Sequence, residues 1–226
     1  MAAREGDLQI LRILLDKNHQ AFKSKSKNGR SPLHTACLSG HIDAAKLIIG
    51  LDEKHAFDQR DTCGTTPIME AVRGGHTSLV KYLASFNPQS LCYVDILERN
   101  CLHLASESGH QDLVRLLVND LQMDVNGGPI TPLHWAAKEG HTDTIQTLLE
   151  LCADPHRTDE GRRVPLALAI GGQHVNATLV LLKNTDSTTP FDLKLLALAK
   201  TSEMKRNLEV LFKTQWNLLL YLPGTD

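Results

Sequence analysis

Histidine is the residue type whose number and spacing most invite a chemical reading of this 226-residue chain, which carries eleven of them. Imidazole nitrogens ligate metals and exchange protons near neutral pH, so clustered histidines raise both possibilities. Here they are ordered instead. His34, His103 and His134 form one column, and His41, His76, His110, His141 and His174 form a second. Single histidines recurring at a fixed interval describe a role repeated in every unit: hydrogen bonding between loop backbone and neighbouring units. His19, His55 and His156 stand outside the columns and are scattered. No H-E-x-x-H, G-x-S-x-G, phosphate loop or G-x-G-x-x-G occurs. The carboxylates form no obvious facing pair. The five cysteines include no close C-x-x-C pair, and Cys37 and Cys101 occupy core columns, so neither zinc nor disulfides are expected. No catalytic residue and no cofactor is expected.

The elements that position these histidines are read from a repeat of about 33 residues. Its clearest copy is Thr131-Pro132-Leu133-His134-Trp135-Ala136-Ala137-Lys138-Glu139-Gly140-His141. Ser31-Pro32-Leu33-His34 runs to Gly40-His41 in the same order, Thr66-Pro67-Ile68-Met69 to Gly75-His76, and Asn100-Cys101-Leu102-His103 to Gly109-His110. Val164-Pro165-Leu166 runs to Gln173-His174. Ser or Thr before Pro is an N-cap followed by proline at the first helical position. Ala36, Ala71, Ala105, Ala136 and Ala169 are small enough for helices to approach closely. Gly40, Gly75, Gly109 and Gly140 end the first helix where positive φ is needed. Asp43, Ser78, Asp112, Asp143 and Asn176 suit the start of a second helix, whose apolar column is Ile48, Leu83, Leu117, Leu148 and Leu181.

These residues resemble the ankyrin repeat, whose core motif is T-P-L-H-x-A-A-x-x-G-H. The resemblance covers almost the whole chain. It implies an all-α solenoid of stacked helix-turn-helix units joined by hairpin-like loops, acting as a binding surface. The expected organisation is a partial unit at 1–24, five units at about 25–58, 59–91, 92–124, 125–157 and 158–187, a degenerate cap at 188–213 and an apolar tail at 214–226. Two copies depart from the motif. Glu98 replaces a turn glycine, Asn100 replaces Thr and Cys101 replaces Pro; Ala167 replaces His and Gln173 replaces Gly. Less regular loops are expected in those two units.

In such a fold function sits where the repeat varies, at loop tips and the exposed face of the first helices. The candidate partner-binding residues are Lys27, Asn28, Arg30, Leu38 and Ser39; Thr62, Cys63, Thr65, Arg73 and Gly74; Ile96, Leu97, Arg99, Glu107 and Ser108; Ile130, Lys138 and Glu139; and Glu160 and Arg163. Ile96-Leu97 and Ile130 are unusual at such positions. Either they fold back onto the next loop, or they form a hydrophobic centre ringed by Arg30, Arg73, Arg99 and Arg163, the mixture typical of binding hot spots. Lys17 to Arg30 holds Lys23, Lys25 and Lys27 with no acidic residue, reading as a solvated loop or a dock for an acidic segment. Aromatic residues are 4% of the chain and the net charge is −2, which argues against nucleic-acid binding.

Ala2 to Asp7 aligns with Ala36 to His41, so residue 1 falls inside a first helix and the start reads as a fragment or alternative start. Thr189-Pro190-Phe191-Asp192-Leu193 opens the degenerate unit, with helices expected at roughly 190–200 and 203–213. Trp216 to Leu222 is apolar and too short to span a bilayer. Residues 1–15 lack the apolar core of a signal peptide, and a monomer in the cytoplasm or nucleus is expected. A narrower resemblance joins Leu133 to Leu149, with Ala2–Leu15, Ser31–Lys46 and Cys63–Leu83, to the C-terminal half of a family of ankyrin proteins that help alanyl-tRNA synthetase limit serine misuse through lysines. That resemblance implies alanyl-tRNA synthetase as a partner, with the family's acceptor lysines upstream of residue 1; the alternative is a participating cofactor in which an exposed lysine such as Lys138 accepts the activated amino acid. Asp124-Val125-Asn126 resembles a hydroxylation site in ankyrin loops, or holds a turn-stabilising Asn.

Overall fold

The computed structural model describes residues 1–18, 21–51, 56–185 and 197–215. Among these the structure is helical and no strand forms. The chain packs as two compact units, Met1–Asp124 and Val125–Asp226. In the first, α1 (Ala2–Glu5) pairs with α2 (Leu8–Lys17), α3 (Pro32–Leu38) with α4 (Ile42–Ile49), α5 (Pro67–Arg73) with α6 (Thr77–Phe86), and α7 (Cys101–Glu107) with α8 (Gln111–Arg115). In the second, α9 (Pro132–Glu139) pairs with α10 (Thr142–Glu150) and α11 (Pro165–Gly171) with α12 (Val175–Lys183), and α13 (Ser202–Gln215) follows. The second helix expected in the degenerate unit is α13. The start of that unit at Thr189–Leu193, the tail Trp216–Leu222, and His19 and His55 lie outside the described residues.

The first helices start where the motif places them, and the motif histidine completes the start. Thr131 N–H donates to His134 Nδ1 at 3.2 Å, and Ser31 N–H to His34 Nδ1 at 3.2 Å. Asn100 serves as well as Thr: its Oδ1 accepts from the N–H groups of Leu102 and His103 at 3.0 and 3.2 Å. The second unit of the motif substitutes Met69 for His, and there Thr66 N–H meets only the Met69 sulfur at 3.4 Å, while Thr66 Oγ1 is buried without a hydrogen-bond partner. Helices α4, α6, α8, α10 and α12 each begin at the residue after a histidine, whereas α2 follows Asp7, and Asp43, Asp112 and Asp143 stand in first turns, where the helix dipole favours negative charge.

Packing follows the columns. Ala36, Ala71, Ala105, Ala136 and Ala169 are all fully buried, as are Leu83, Leu117, Leu148 and Leu181. The turn after α9 uses Gly140 at φ 78°. A Cβ there would also strike the imidazole of His174, so the position requires glycine twice, for backbone and for space. Gln173 holds the equivalent place in the next turn at φ 61° without being glycine.

The loops correct one expectation. The copies at Glu98 and Gln173 are not irregular. Asp95 N–H donates to Arg99 O at 3.1 Å and Glu98 N–H to Asp95 O at 3.0 Å, matching Asp61 to Thr65 and Gly64 to Asp61, both at 3.0 Å. Asp159 with Arg163 and Arg162 repeats the pattern at 3.0 and 2.9 Å. Glu98 and Arg162 simply take the left-handed conformation, at φ 58° and 57°, because the loop's aspartate holds it closed. Asp61 Oδ1, Asp95 Oδ1 and Asp159 Oδ1 accept from the N–H of Thr65, Arg99 and Arg163 at 2.9, 3.0 and 2.8 Å. The aspartate replaces the glycine as the residue that specifies the turn.

Two substitutions test this packing in urea melts. Leu148→Ala is expected to cost about 2–5 kcal/mol as a truncation in a closed core. Gly140→Val is expected to cost about 1–3 kcal/mol from backbone strain alone, with the His174 clash added. Gly171→Ala, in α11 with open space around its Cβ, is expected to raise stability by roughly 0.5–1 kcal/mol. Equal midpoints for the parent, Leu148→Ala and Gly140→Val would contradict the column assignments.

Candidate functional site

The histidines form the seams between helix pairs. His41 Nε2 bonds Arg4 O at 2.9 Å, His76 bonds Leu38 O at 2.9 Å, His110 bonds Arg73 O at 3.0 Å and His174 bonds Lys138 O at 2.9 Å. Each accepting carbonyl lies in the last turn of a first helix, where main-chain carbonyls have no intrahelical donor. The ring rests on the turn glycine of the preceding pair: a Cβ on Gly40 or Gly75 would lie 2.5 or 2.9 Å from His76 or His110. The other column reaches the next loop, with His34 Nε2 on Thr65 O and His134 Nε2 on Arg163 O, both at 2.9 Å. Since the main-chain N–H of Ser31 and Thr131 donates to Nδ1, the proton of these rings sits on Nε2 and both are neutral. Burial pushes both imidazoles below the usual histidine value, against the Thr65 and Arg163 carbonyls that pull it up.

The arginines are braced internally. Arg30 spans a seam, meeting Asp61 at 3.3 Å and the fully buried Glu70 at 2.6 Å. Burial raises the Glu70 carboxyl above the ordinary range, against Arg30 and then Arg73, while Asp61 adds to the rise. Arg73 stands 4.0 Å from the same carboxylate. Burial opposes the charge of Asp61, but the N–H groups of Thr65 and Cys63 and then Arg30 outweigh it and hold its carboxyl low. Arg99 lies between Asp95 at 2.7 Å and Glu107 at 2.6 Å and is 12% exposed; Arg163 bonds Asp159 at 2.8 Å and stays 59% exposed.

The other sequence candidates divide by accessibility. Lys27, Asn28, Thr62, Cys63 and Glu160 are exposed on loop tips, and Leu38, Ser39, Gly74, Glu107 and Ser108 are half-buried near the first-helix ends. Thr65 is a correction. At 1% exposure it is closed off by the loop, and its carbonyl is held by His34. Ile96 and Leu97 are 68% and 54% exposed, so they do not fold back, and the Ile96 N–H bonds Cys63 O at 3.0 Å.

The structure brings together Ile130, Lys138 and Arg163. They line a cleft of about 480 Å³ between α9 and α11 with Trp135, Leu168 and Leu198. Trp135 is buried in its floor, and Lys138 Nζ lies 4.6 Å above the indole and 3.6 Å from Glu139. Gly171 makes the cleft. It occupies the column of Leu38, Arg73, Glu107 and Lys138, and a Cβ placed there meets nothing within 4 Å. Trp135, Leu168, Gly171 and Leu198 were not singled out from sequence as binding residues. The available signal was the column of Thr35, Glu70, Leu104, Trp135 and Leu168, which varies freely within the motif. A separate cleft of about 390 Å³ in the first unit is bordered by Met1, Leu14, Phe22, Arg30 and Thr35. Among the described residues no group of His, Cys, Asp or Glu could hold a metal ion, and no helix is long and apolar enough to cross a membrane.

Family models of ankyrin repeats match residues 1–49, 50–127 and 130–160. A probable E3 ubiquitin-protein ligase of Oryza sativa subsp. japonica is 32% identical over 186 residues, covering 67% of this chain and 37% of that protein. An E3 ubiquitin-protein ligase of Arabidopsis thaliana is 32% identical over 183 residues, covering 68% of this chain and 35% of its own length. The chain therefore spans little more than a third of these relatives. The crystal structure of the human ASB11 ankyrin repeat domain matches with a TM-score of 0.75 at 24% identity, over 92% of this chain and 95% of that one.

The neutral histidines set a pH dependence. His34 and His134 have folded values below the ordinary 6.5, so the unfolded chain takes up their protons first. Their contribution is complete above 6.5 and falls as pH drops through that value toward the folded one. Glu70 acts in the opposite sense, its raised value favouring the folded state as pH falls. The urea midpoint of Glu70→Gln is therefore expected to hold from pH 7.5 to about 6.5 and to decline as the pH falls further to 5.5, with both imidazoles less than half protonated by NMR at pH 6.5. A flat midpoint, or rings half-protonated at 6.5, would contradict the seam assignment.

Proposed function

This chain belongs to the ankyrin repeat family, and we propose from that premise that it is a non-catalytic scaffold binding a protein partner through its loop tips and the α9–α11 cleft. Ankyrin repeats imply a protein partner. The observation that carries the site is the cleft itself: an indole floor, apolar walls from Ile130, Leu168 and Leu198, and charged rims at Lys138 and Arg163. Aromatic and arginine side chains at the centre of a concave surface are the usual composition of binding hot spots. The exposed Ile96 and Leu97 add a second, protruding contact.

Within this reading the partner is alanyl-tRNA synthetase, which the chain would help to limit serine mischarging in the cytoplasm or nucleus. The resemblance of Leu133–Leu149 to helper proteins of that enzyme supports it. The alternative is a participating cofactor that takes misactivated serine on an exposed lysine such as Lys138, which is 53% exposed on the cleft rim. Incubation with synthetase, ATP and serine followed by mass spectrometry separates the two. Binding without seryl-lysine leaves the scaffold; absence of binding removes the synthetase.

Gly171→Leu tests the cleft without damaging the fold. Its side chain would enter open space, and leucine favours helix over glycine. The melting temperature is expected to hold or rise while affinity for the captured partner falls about tenfold or more, the effect of blocking one hot spot. Trp135→Ala is expected to weaken binding similarly. Undiminished binding by Gly171→Leu would move the interface elsewhere.

A further inference from the structure

Helices α4, α6, α8 and α12 bury the same two columns. Three residues after the histidine that follows the turn come Ala44, Leu79, Leu113 and Ala177, which are 1%, 2%, 1% and 1% exposed. Seven residues after it come Ile48, Leu83, Leu117 and Leu181, at 3%, 0%, 0% and 0%. In α2 these columns hold Ile10 and Leu14, exposed by 49% and 48%, with Ile13 beside them at 53%. The neighbouring columns of the same helix, Leu11 and Leu15, are 5% exposed each, and α2 packs on α4. So α2 is buried on one side and carries core residues on the other. A terminal repeat that faces water needs polar residues there, and three large aliphatic side chains are the opposite.

The seam chemistry on this side differs as well. Asp7 stands where His41, His76, His110 and His174 stand in the other pairs. Its Oδ1 accepts from Ile10 N–H at 3.0 Å and caps α2. A pair meeting this face would be held by apolar packing, without an imidazole reaching its carbonyl.

We propose that the outer face of α2, centred on Ile10, Ile13 and Leu14, is a stacking interface that receives one further helix pair of the same repeat kind. The occupant follows from continuity. The interface running from pair to pair through the first unit reaches α2 with both of its core columns still present, and the surface complementary to those columns is another helix pair of this repeat.

The test supplies such a pair in register. A copy of residues 100–134 fused ahead of Met1 brings one full helix pair and aligns Met1 with Trp135 and Gly6 with Gly140. Amide exchange across 8–17 is expected to slow at least tenfold in the fused chain, with a higher melting temperature. Ile10→Asp with Leu14→Asp is expected to abolish both gains there while leaving the melting of the unfused chain within a degree or two. Unchanged exchange in the fused chain would overturn the proposal. So would equal destabilisation of the unfused chain by the double substitution, which would place Ile10 and Leu14 in its own core. Sedimentation of the unfused chain as a dimer that the double substitution dissolves would also overturn it, assigning the face to a second copy.

Discussion

An imidazole Nε2–H donates to a main-chain carbonyl of the preceding helix pair at Arg4, Leu38, Arg73 and Lys138, and the packing at these four seams depends on that bond. Short helices leave a large share of their carbonyls unpaired, because the last four of any helix lack a donor. In helices of seven or eight residues such as α3, α5 and α9 that is half or more of them. The seam histidine supplies one donor where helices crowd most closely, and its ring fills the space left by a missing Cβ. Glycine, histidine and the buried alanines are therefore one arrangement. Enlarging the glycine displaces the ring, and displacing the ring strands a carbonyl.

The arrangement explains which parts of the structure were legible in sequence. Helix starts at Pro32, Pro67, Cys101, Pro132 and Pro165 could be placed because caps and prolines act locally. The histidine columns could be assigned to seams because their recurrence admits little else. The loops at Glu98 and Arg162 are regular although neither holds the turn glycine, because the turn is specified by the aspartates three residues earlier. Gln173 stands where the motif has glycine. It keeps the left-handed backbone and adds bonds that glycine could not make: its amide nitrogen donates to Leu198 O at 2.9 Å, and its Oε1 accepts from Lys200 and Thr201 N–H at 3.0 and 3.1 Å. Such a role depends on residues 25 to 28 positions away, beyond the reach of a local pattern.

The candidate binding surface is harder to read for a related reason. Loop-tip arginines look like partner contacts in a list of variable positions. In space Arg30 and Arg99 hold their own loops against Asp61, Glu70, Asp95 and Glu107. The cleft arises from Gly171, a residue that contributes no side chain and stands out in no composition. What a sequence reports least well is space, and here the space lies between Trp135, Lys138 and Arg163.

Each seam bond joins residues 36 to 38 positions apart, at 37, 38, 37 and 36 for the four histidines. That near-constant interval carries a consequence for inheritance. Duplicating or deleting one whole period restores every histidine to an equivalent carbonyl and every ring to an equivalent glycine. A gain or loss of half a period leaves a histidine facing a helix flank and a carbonyl with no donor. Chains built on this seam can lengthen and shorten across generations in steps of one unit, and the joints where such steps are tolerated are set by the bond interval and not by where loops happen to be exposed.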